Sequence, residues 1–264
     1  MKLAIVFWFY KEADVCKNKL KILKKYNPNV KIFGLFGGDK KMENEYKKQL
    51  SEYFDDFYTS NLCNRKYEFK WINGDIMLLD WYEKRGIYLD WDSVAIVQWD
   101  MLILDSLKKQ FYGIKKNQIF LSALKKLDIK TENIWTWTTP KQKYRKDYLA
   151  FRRYVNKEYS YIPDSFLCCL FVFEILPRVF FKKWCTVKDR YVGMLEYKIP
   201  TYADIFKLSF YKKNLNIWWT IKDGEIKDFS INANSFQIDK KHINFELSKK
   251  DGFRMFHPYN SIYN

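Results

Sequence analysis

The sequence predicts an α/β fold with a Rossmann-type, mostly parallel central sheet flanked by helices and a smaller C-terminal portion. Three observations lead there. Short β-rich runs alternate with helical segments through the first hundred residues, the pattern of strands joined by crossover helices. The run Ser93-Val94-Ala95-Ile96-Val97 is continuously apolar, as strands covered on both faces are. The 264 residues are 48% apolar and 30% charged with only nine Gly and six Pro, enough to bury a sizeable core and unlike a disordered or low-complexity chain. No linker or internal repeat stands out, so residues 1–264 read as one domain with halves at 1–105 and 106–264.

Taken in order, Leu3 to Tyr10 is the first strand, and Cys16, Leu20 and Leu23 recur at helical spacing on a Lys-rich helix. Lys31 to Phe36 is a second strand, followed by Met42, Tyr46, Leu50 and Tyr53 at helical spacing. Asp75 is placed to cap a helix carrying Ile76, Leu79 and Tyr82, with Gly86 ending it in a left-handed conformation. The strand Ser93 to Val97 then runs into Gln98-Trp99-Asp100. Open α/β sheets place ligand-binding groups at the carboxyl ends of such strands. In the second half, Trp135 to Pro140 and the basic stretch Lys141 to Lys157 carry no clear pattern. Phe166 to Phe173 reads as a strand, Pro177 to Trp184 as the start of a helix, Ile199 to Ala203 as a turn entering another, and Asp223-Gly224 as a hairpin.

Lys plus Arg outnumber Asp plus Glu by 47 to 31, a net charge of +16, which attracts phosphates, nucleic acid or an anionic membrane face. The abundance of Lys, Asn, Ile, Tyr and Phe is also what an AT-rich genome would produce. The basic residues are dispersed among acidic ones without a block resembling a nucleic-acid-binding tail, which argues against nucleic acid. Five cysteines without a CxxC and two histidines make no zinc motif and fit a reducing compartment. The apolar N-terminus lacks a small-residue cleavage site and meets acidic residues at once, so it reads as a buried strand rather than a signal peptide. The run Phe166 to Leu176 contains Glu174 and is too short to span a bilayer. The expected setting is the cytoplasm.

Asp100 after its strand, Glu196 after Gly193 and His257 before Pro258 each have an ordinary reading: helix cap, helix-flanking charge, packed histidine. Their order resembles that of the nucleotide-sugar-dependent glycosyltransferases of the GT-A fold. Gln98-Trp99-Asp100 stands where that family has Asp-x-Asp, Gly193-Met194-Leu195-Glu196 resembles the segment bearing the base, and Phe256-His257-Pro258 resembles its late histidine. Trp71-Ile72-Asn73-Gly74-Asp75 and Leu78 to Tyr82 resemble the helix before the motif. The likeness extends from Leu3 to Tyr259 on short, degenerate motifs, and Gln98 departs from them where an acidic residue is expected.

The resemblance implies a GT-A-like fold whose first half binds the nucleotide-sugar donor and whose second half binds the acceptor. It implies Asp100 and His257 as ligands of Mn²⁺ or Mg²⁺, with the donor's diphosphate supplying the rest. Glu196 is implied as general base, which gives inversion at the anomeric carbon. Gln98, Trp99 and Asp100 would contact the donor, and Phe9, Tyr10 and Lys11 would line its base pocket, with Asp55 or Asp56 further candidates there. Lys198 or Arg254 would help neutralise the diphosphate. Aromatic residues make up 20% of the chain. Most belong to the core, and Trp135, Trp137, Trp218 and Trp219, in polar surroundings, are the candidates for stacking on a glycan or lipid-linked acceptor. Peripheral contact with a membrane would suit the basic surplus. The rival readings are a basic, aromatic nucleic-acid-binding protein, a nucleotidyltransferase, for which the glycine-free Phe7-Trp8-Phe9-Tyr10 is a poor fit, and a non-catalytic protein of the same fold.

Overall fold

The structure is a computed structural model that describes residues 1–219 and 223–264. The first half runs β1 (Leu3–Phe9), α1 (Ala13–Tyr26), β2 (Ile32–Phe36), α2 (Glu43–Leu50), β3 (Asp56–Thr59), α3 (Tyr67–Lys84) and β4 (Ser93–Gln98). There follow β5 (Leu102–Ile103), α4 (Leu107–Gln110), β6 (Gln118–Leu121), β7 (Lys125–Lys126), α5 (Ile129–Ile134), α6 (Arg145–Tyr159), β8 (Leu167–Cys168) and β9 (Phe173–Pro177). The chain continues through α7 (Arg178–Trp184), α8 (Leu195–Ile205), β10 (Ser209–Phe210), β11 (Ile217–Trp218), β12 (Ile231–Asn232), α9 (Lys240–Ser248) and β13 (Met255–Phe256).

Seven strands form the central sheet in the order β10-β6-β9-β4-β1-β2-β3. All neighbours are parallel except where β9 runs against β4 and β6. This is the mostly parallel, helix-flanked architecture that the GT-A resemblance implies. Strand alternation sorts the core into two layers. Ile5, Phe7 and Phe9 of β1 pack with Cys16, Leu20 and Leu23 of α1 on one face, while Ala4, Val6 and Trp8 meet Ile76, Met77 and Leu79 of α3 on the other. The chain leaves β1 toward β2 on one side and β4 lies on the other, so the boundary between β1 and β4 is a topological switch point, where a crevice outside the carboxyl ends of the strands is expected.

Several elements differ from their sequence reading. Asp75 is no cap: α3 extends back to Tyr67 across a non-helical Asn73, and the Asp75 carboxylate is wholly buried against Lys198 at 2.6 Å. Gly86 opens a 3-10 turn instead of ending α3 in a left-handed conformation. The basic stretch conceals α6, whose Tyr148, Phe151 and Val155 are buried beneath a charged outer face that masks the periodicity. The apolar run at Phe166 divides into β8 and β9, because the residues between them bend out to meet Gln98 and Glu196. Around Asp223-Gly224, β11 and β12 pair in parallel, so this is not a hairpin.

Candidate active site

A cavity of about 800 Å³ opens at the crevice and is lined by residues from both halves. Alternation at the end of β1 decides which of its residues reach it. Trp8, Tyr10 and Lys11 line the cavity. Phe9, expected there, points to the opposite face and packs against Phe36 at 5.4 Å and Phe54 at 5.6 Å. Trp8 forms part of the wall where α3 crosses it: a Cβ on Gly74 would fall 2.3 Å from the Trp8 ring, so only glycine permits this approach.

Gln98, Trp99 and Asp100 occupy a turn closed by the Met101 N–H donating to the Gln98 carbonyl at 3.0 Å. The C-terminal segment lies against this turn. β13 pairs with β5, the Tyr259 N–H donates to the Asp100 carbonyl at 2.8 Å, and the His257 backbone exchanges hydrogen bonds with Ser230 and Asn232. His257 Nε2 thereby stands 3.3 Å from Asp100 Oδ1, and both residues line the cavity. Neither atom has a hydrogen-bond partner. His257 Nδ1 donates to the Asn232 carbonyl at 2.7 Å, which fixes the ring and, in the neutral imidazole, leaves the Nε2 lone pair facing the carboxylate. Burial opposes the charged imidazole, but the Asp100 carboxylate and the Asn232 carbonyl outweigh it and hold the His257 pKa above its ordinary value.

Glu196 sits in the first turn of α8 and is 8% exposed. One carboxylate oxygen accepts the Phe171 backbone N–H at 2.9 Å and the other the Trp137 indole N–H at 3.0 Å. Burial pushes its pKa up to about 7, against the pull of these two donors. A carboxylate at that value changes protonation state in the range useful to a general base. Gln98 belongs to the same arrangement, since its amide donates to the Phe171 carbonyl at 2.7 Å. The Phe171 peptide is thus held from both ends. A carboxylate at position 98 would face that carbonyl oxygen without a proton to offer, which gives a physical reason for the departure from Asp-x-Asp.

The other candidates are placed elsewhere. Asp55 and Asp56 lie at the amino end of β3, where Asp55 accepts the Ile32 N–H at 2.8 Å and Asp56 pairs with Arg85. Lys198 is spent on Asp75 and the Arg190 carbonyl, and Arg254 donates to the carbonyls of Glu246 and Lys249. The cations that line the cavity are Lys11 and Lys70 among the described residues. Lys11 lies over the Trp99 ring at 4.8 Å and Lys70 over the Tyr10 ring at 5.6 Å. Lys70 was not anticipated, nor was Tyr67. With Trp71 they share one helical face just before Asn73-Gly74, and that spacing was the available signal. Trp135, Trp137, Trp218 and Trp219 also line the cavity, and Trp218 of β11 pairs with Asn232, whose carbonyl holds the His257 ring. The Glu68 carboxylate ties α3 to the segment before α6 by accepting from Lys143 at 2.6 Å and Tyr144 at 2.7 Å.

Among the described residues no group of three or more His, Cys, Asp or Glu side chains gathers as a metal cluster. Asp100 and His257 are a pair. Two donors on adjacent positions of an octahedral cation with bonds of ~2.1 Å stand about 3 Å apart, so their spacing and unsatisfied atoms fit a shared cation whose remaining ligands come from elsewhere.

No protein-family profile matches the chain, and no curated protein matches its sequence. Among solved structures, it is similar to a cytidylyltransferase from Leptospira borgpetersenii serovar Hardjo-bovis, with a TM-score of 0.43 and 10% identity over 81% of this chain and 77% of that one. It is also similar to the galactosyltransferase LgtC in complex with donor and acceptor sugar analogs, with a TM-score of 0.42 and 13% identity over 79% of this chain and 73% of the other. An active-site mutant of LgtC gives the same score and identity over 79% and 72%. At such identities the likeness is one of backbone architecture.

Proposed function

We propose that the protein transfers a sugar from a nucleotide-sugar donor to a hydroxyl acceptor with inversion, using Glu196 as general base. One observation carries this reading. A single cavity is lined both by the Asp100–His257 pair, whose facing atoms stand 3.3 Å apart and have no hydrogen-bond partner, and by a glutamate whose pKa is raised to about 7. Asp100 and His257 would hold Mn²⁺ or Mg²⁺. When bound, the ion would supply Lewis-acid stabilisation of the diphosphate leaving group.

The chain's own residues do the rest. Lys11 and Lys70 lend positive charge to the donor side, where Tyr10, Gln98 and Trp99 complete the wall. Glu196 takes the acceptor's hydroxyl proton, and its fixed hydrogen bonds aim the carboxylate before substrate arrives. The acceptor oxygen then attacks the anomeric carbon from the face opposite the leaving nucleotide. A lipid-linked glycan would reach the site through peripheral contact with a membrane face, which the net charge of +16 would favour; no described helix is long and apolar enough to cross a membrane.

A thermal-shift screen of UDP-, GDP-, TDP- and CMP-sugars with and without Mn²⁺ tests the reading, because a ligand that binds the folded state raises its apparent stability. The expected result is one nucleotide class giving a Mn²⁺-dependent shift that Asp100→Ala and His257→Ala each abolish. Shifts unchanged in both variants would remove the pair from donor binding. Glu196→Gln is expected to keep the shift and lose turnover, and full activity in that variant would exclude it as base.

A further inference from the structure

We infer that the mouth of the cavity, where the start of α3 meets the segment before α6, docks on an anionic lipid surface and, resting on the transferase reading, that the acceptor is presented to Glu196 from that membrane. Tyr67, Trp71 and Ile134 line the cavity while staying 47%, 51% and 53% exposed, so they form its rim. On α3 the rim is continuous: the Tyr67 and Trp71 rings meet at 4.7 Å, and Tyr67 meets Tyr10 at 5.9 Å. Between them in sequence, Glu68 accepts from Lys143 at 2.6 Å and Tyr144 at 2.7 Å, which brings the basic segment that follows Ile134 against the start of α3. Large apolar side chains exposed singly are ordinary, but a contiguous patch of them marks a binding surface.

Positive charge is concentrated in the same two stretches. Residues 65–71 and 130–146 hold eight Lys and Arg against two acids, Glu68 and Glu132, a net charge of +6. Both acids are already paired, Glu68 with Lys143 and Glu132 with Arg145. Arg65, Lys66, Lys141 and Lys143 are exposed. The two stretches lie far apart in the chain, which is why the basic surplus reads as dispersed in the sequence. Nucleic acids and anionic membranes both answer to such charge, and the apolar members of the rim decide between them. Trp and Tyr rings settle at the headgroup level of a bilayer. An aliphatic side chain such as Ile134 gains by entering the acyl boundary, whereas a nucleic acid offers it no apolar layer. With the rim seated on a bilayer, the cavity opens toward the headgroups, and a glycan carried on a lipid is the acceptor that enters it there.

The test is co-sedimentation of the full chain with phosphatidylcholine vesicles that contain or lack phosphatidylglycerol, beside the nucleotide-sugar thermal-shift screen. Binding about tenfold or more tighter to the anionic vesicles is expected, since each Lys or Arg near such a surface contributes about fivefold. Reversing two rim charges with Lys66→Glu and Lys141→Glu should cost about tenfold or more. Trp71→Ala should cost about fivefold, as half an aromatic side chain no longer leaves water. Tyr112→Ala, at an aromatic 86% exposed and outside the cavity lining, should change nothing. Ile134→Ser is the second apolar variant should Trp71→Ala fail to fold. No vesicle binding, equal binding to the two vesicles, or binding that the rim variants leave unchanged overturns the inference. Single-stranded RNA bound more tightly than anionic vesicles, and weakened by the same charge reversal, overturns it in favour of a nucleic-acid partner. Vesicle binding without nucleotide-sugar binding upholds the docking surface and refutes the transferase reading. Nucleotide-sugar binding without vesicle binding does the reverse, and loss of both refutes both.

Discussion

Replacing Trp137 by Phe removes one hydrogen bond from the Glu196 carboxylate while keeping a ring against Tyr144, whose centroid is 4.8 Å away. A hydrogen bond to a charged group is worth about 1.5–3 kcal/mol net, and one pKa unit corresponds to about 1.4 kcal/mol. Glu196, at about 7 in the native chain, should therefore titrate about 1–2 units higher. At pH 7 the ionised fraction would fall from about a half to between roughly 1 and 10%. Transfer at that pH should drop about 5–50-fold and recover as the pH approaches 9–10. The assay is kcat/KM against pH, supported by a ¹³C-carboxyl titration of Glu196 followed by NMR, which needs no substrate. A merely structural role would lower the plateau without moving its acid limb. A midpoint that stays in place or moves down would refute the claim that Trp137 tunes the base.

Burial also makes Glu196 a cost to stability. Its pKa rises from 4.5 to about 7 on folding, so between those values the folded chain holds a proton that the unfolded chain has released. Stability falls with rising pH across that window by ~3 kcal/mol from this group. Urea midpoints at pH 5 and pH 8 should show Glu196→Gln losing less stability over the interval than the native chain, and equal losses would refute the assignment. Lys198→Met leaves Asp75 charged and unpaired in the core, which should cost about 3–5 kcal/mol, and adding Asp75→Leu should restore most of it. A single variant within about 1 kcal/mol of the native chain would mean that Asp75 is already neutral. Lys19, 1% exposed, donates to the Ser261 carbonyl at 2.7 Å and lies 4.5 Å from the Tyr259 ring. Lys19→Met should speed amide exchange at Tyr259 about tenfold or more while leaving β1 protected, and an unchanged Tyr259 rate would show that the tail is held without it.

The sheet was legible because its signals are local. β1, β2 and β4 are uninterrupted apolar runs, and α1 keeps its stripe at helical spacing, so period and length sufficed. The elements around the cavity mouth were harder to read. α6 hides three buried residues in a basic segment, α3 continues through an Asn-Gly pair that reads as a break, and the β9 segment was placed too early because the Leu170 to Val172 bend has no turn residue to announce it. The parallel pairing of β11 with β12 is non-local, and a Gly-containing stretch between them imitates a hairpin. Phe9 shows the cost of one residue in register: its neighbours on either side reach the cavity, and it reaches the core.

The site residues could be picked out as chemical types, but what brings them together is long-range. His257 meets Asp100 because β13 adds to β5 and because Asn18 and Lys19 of α1 bind Tyr263 and Ser261 in the tail. Gln98 illustrates the same point from the other side. Read as a position in a motif, it is a missing acid. In the structure it is a donor to the Phe171 carbonyl, whose own amide binds Glu196, so the residue that weakens the resemblance to a metal-binding motif helps to fix the carboxylate proposed as base. An acidic residue there would add a ligand near Asp100 and loosen the peptide that positions Glu196. With the Phe171 peptide pinned between Gln98 and Glu196, the proposed reaction would be served by Asp100 and His257 as the proposed metal ligands and a separately anchored Glu196 as the proposed base, provided the substrate brings its own oxygen ligands.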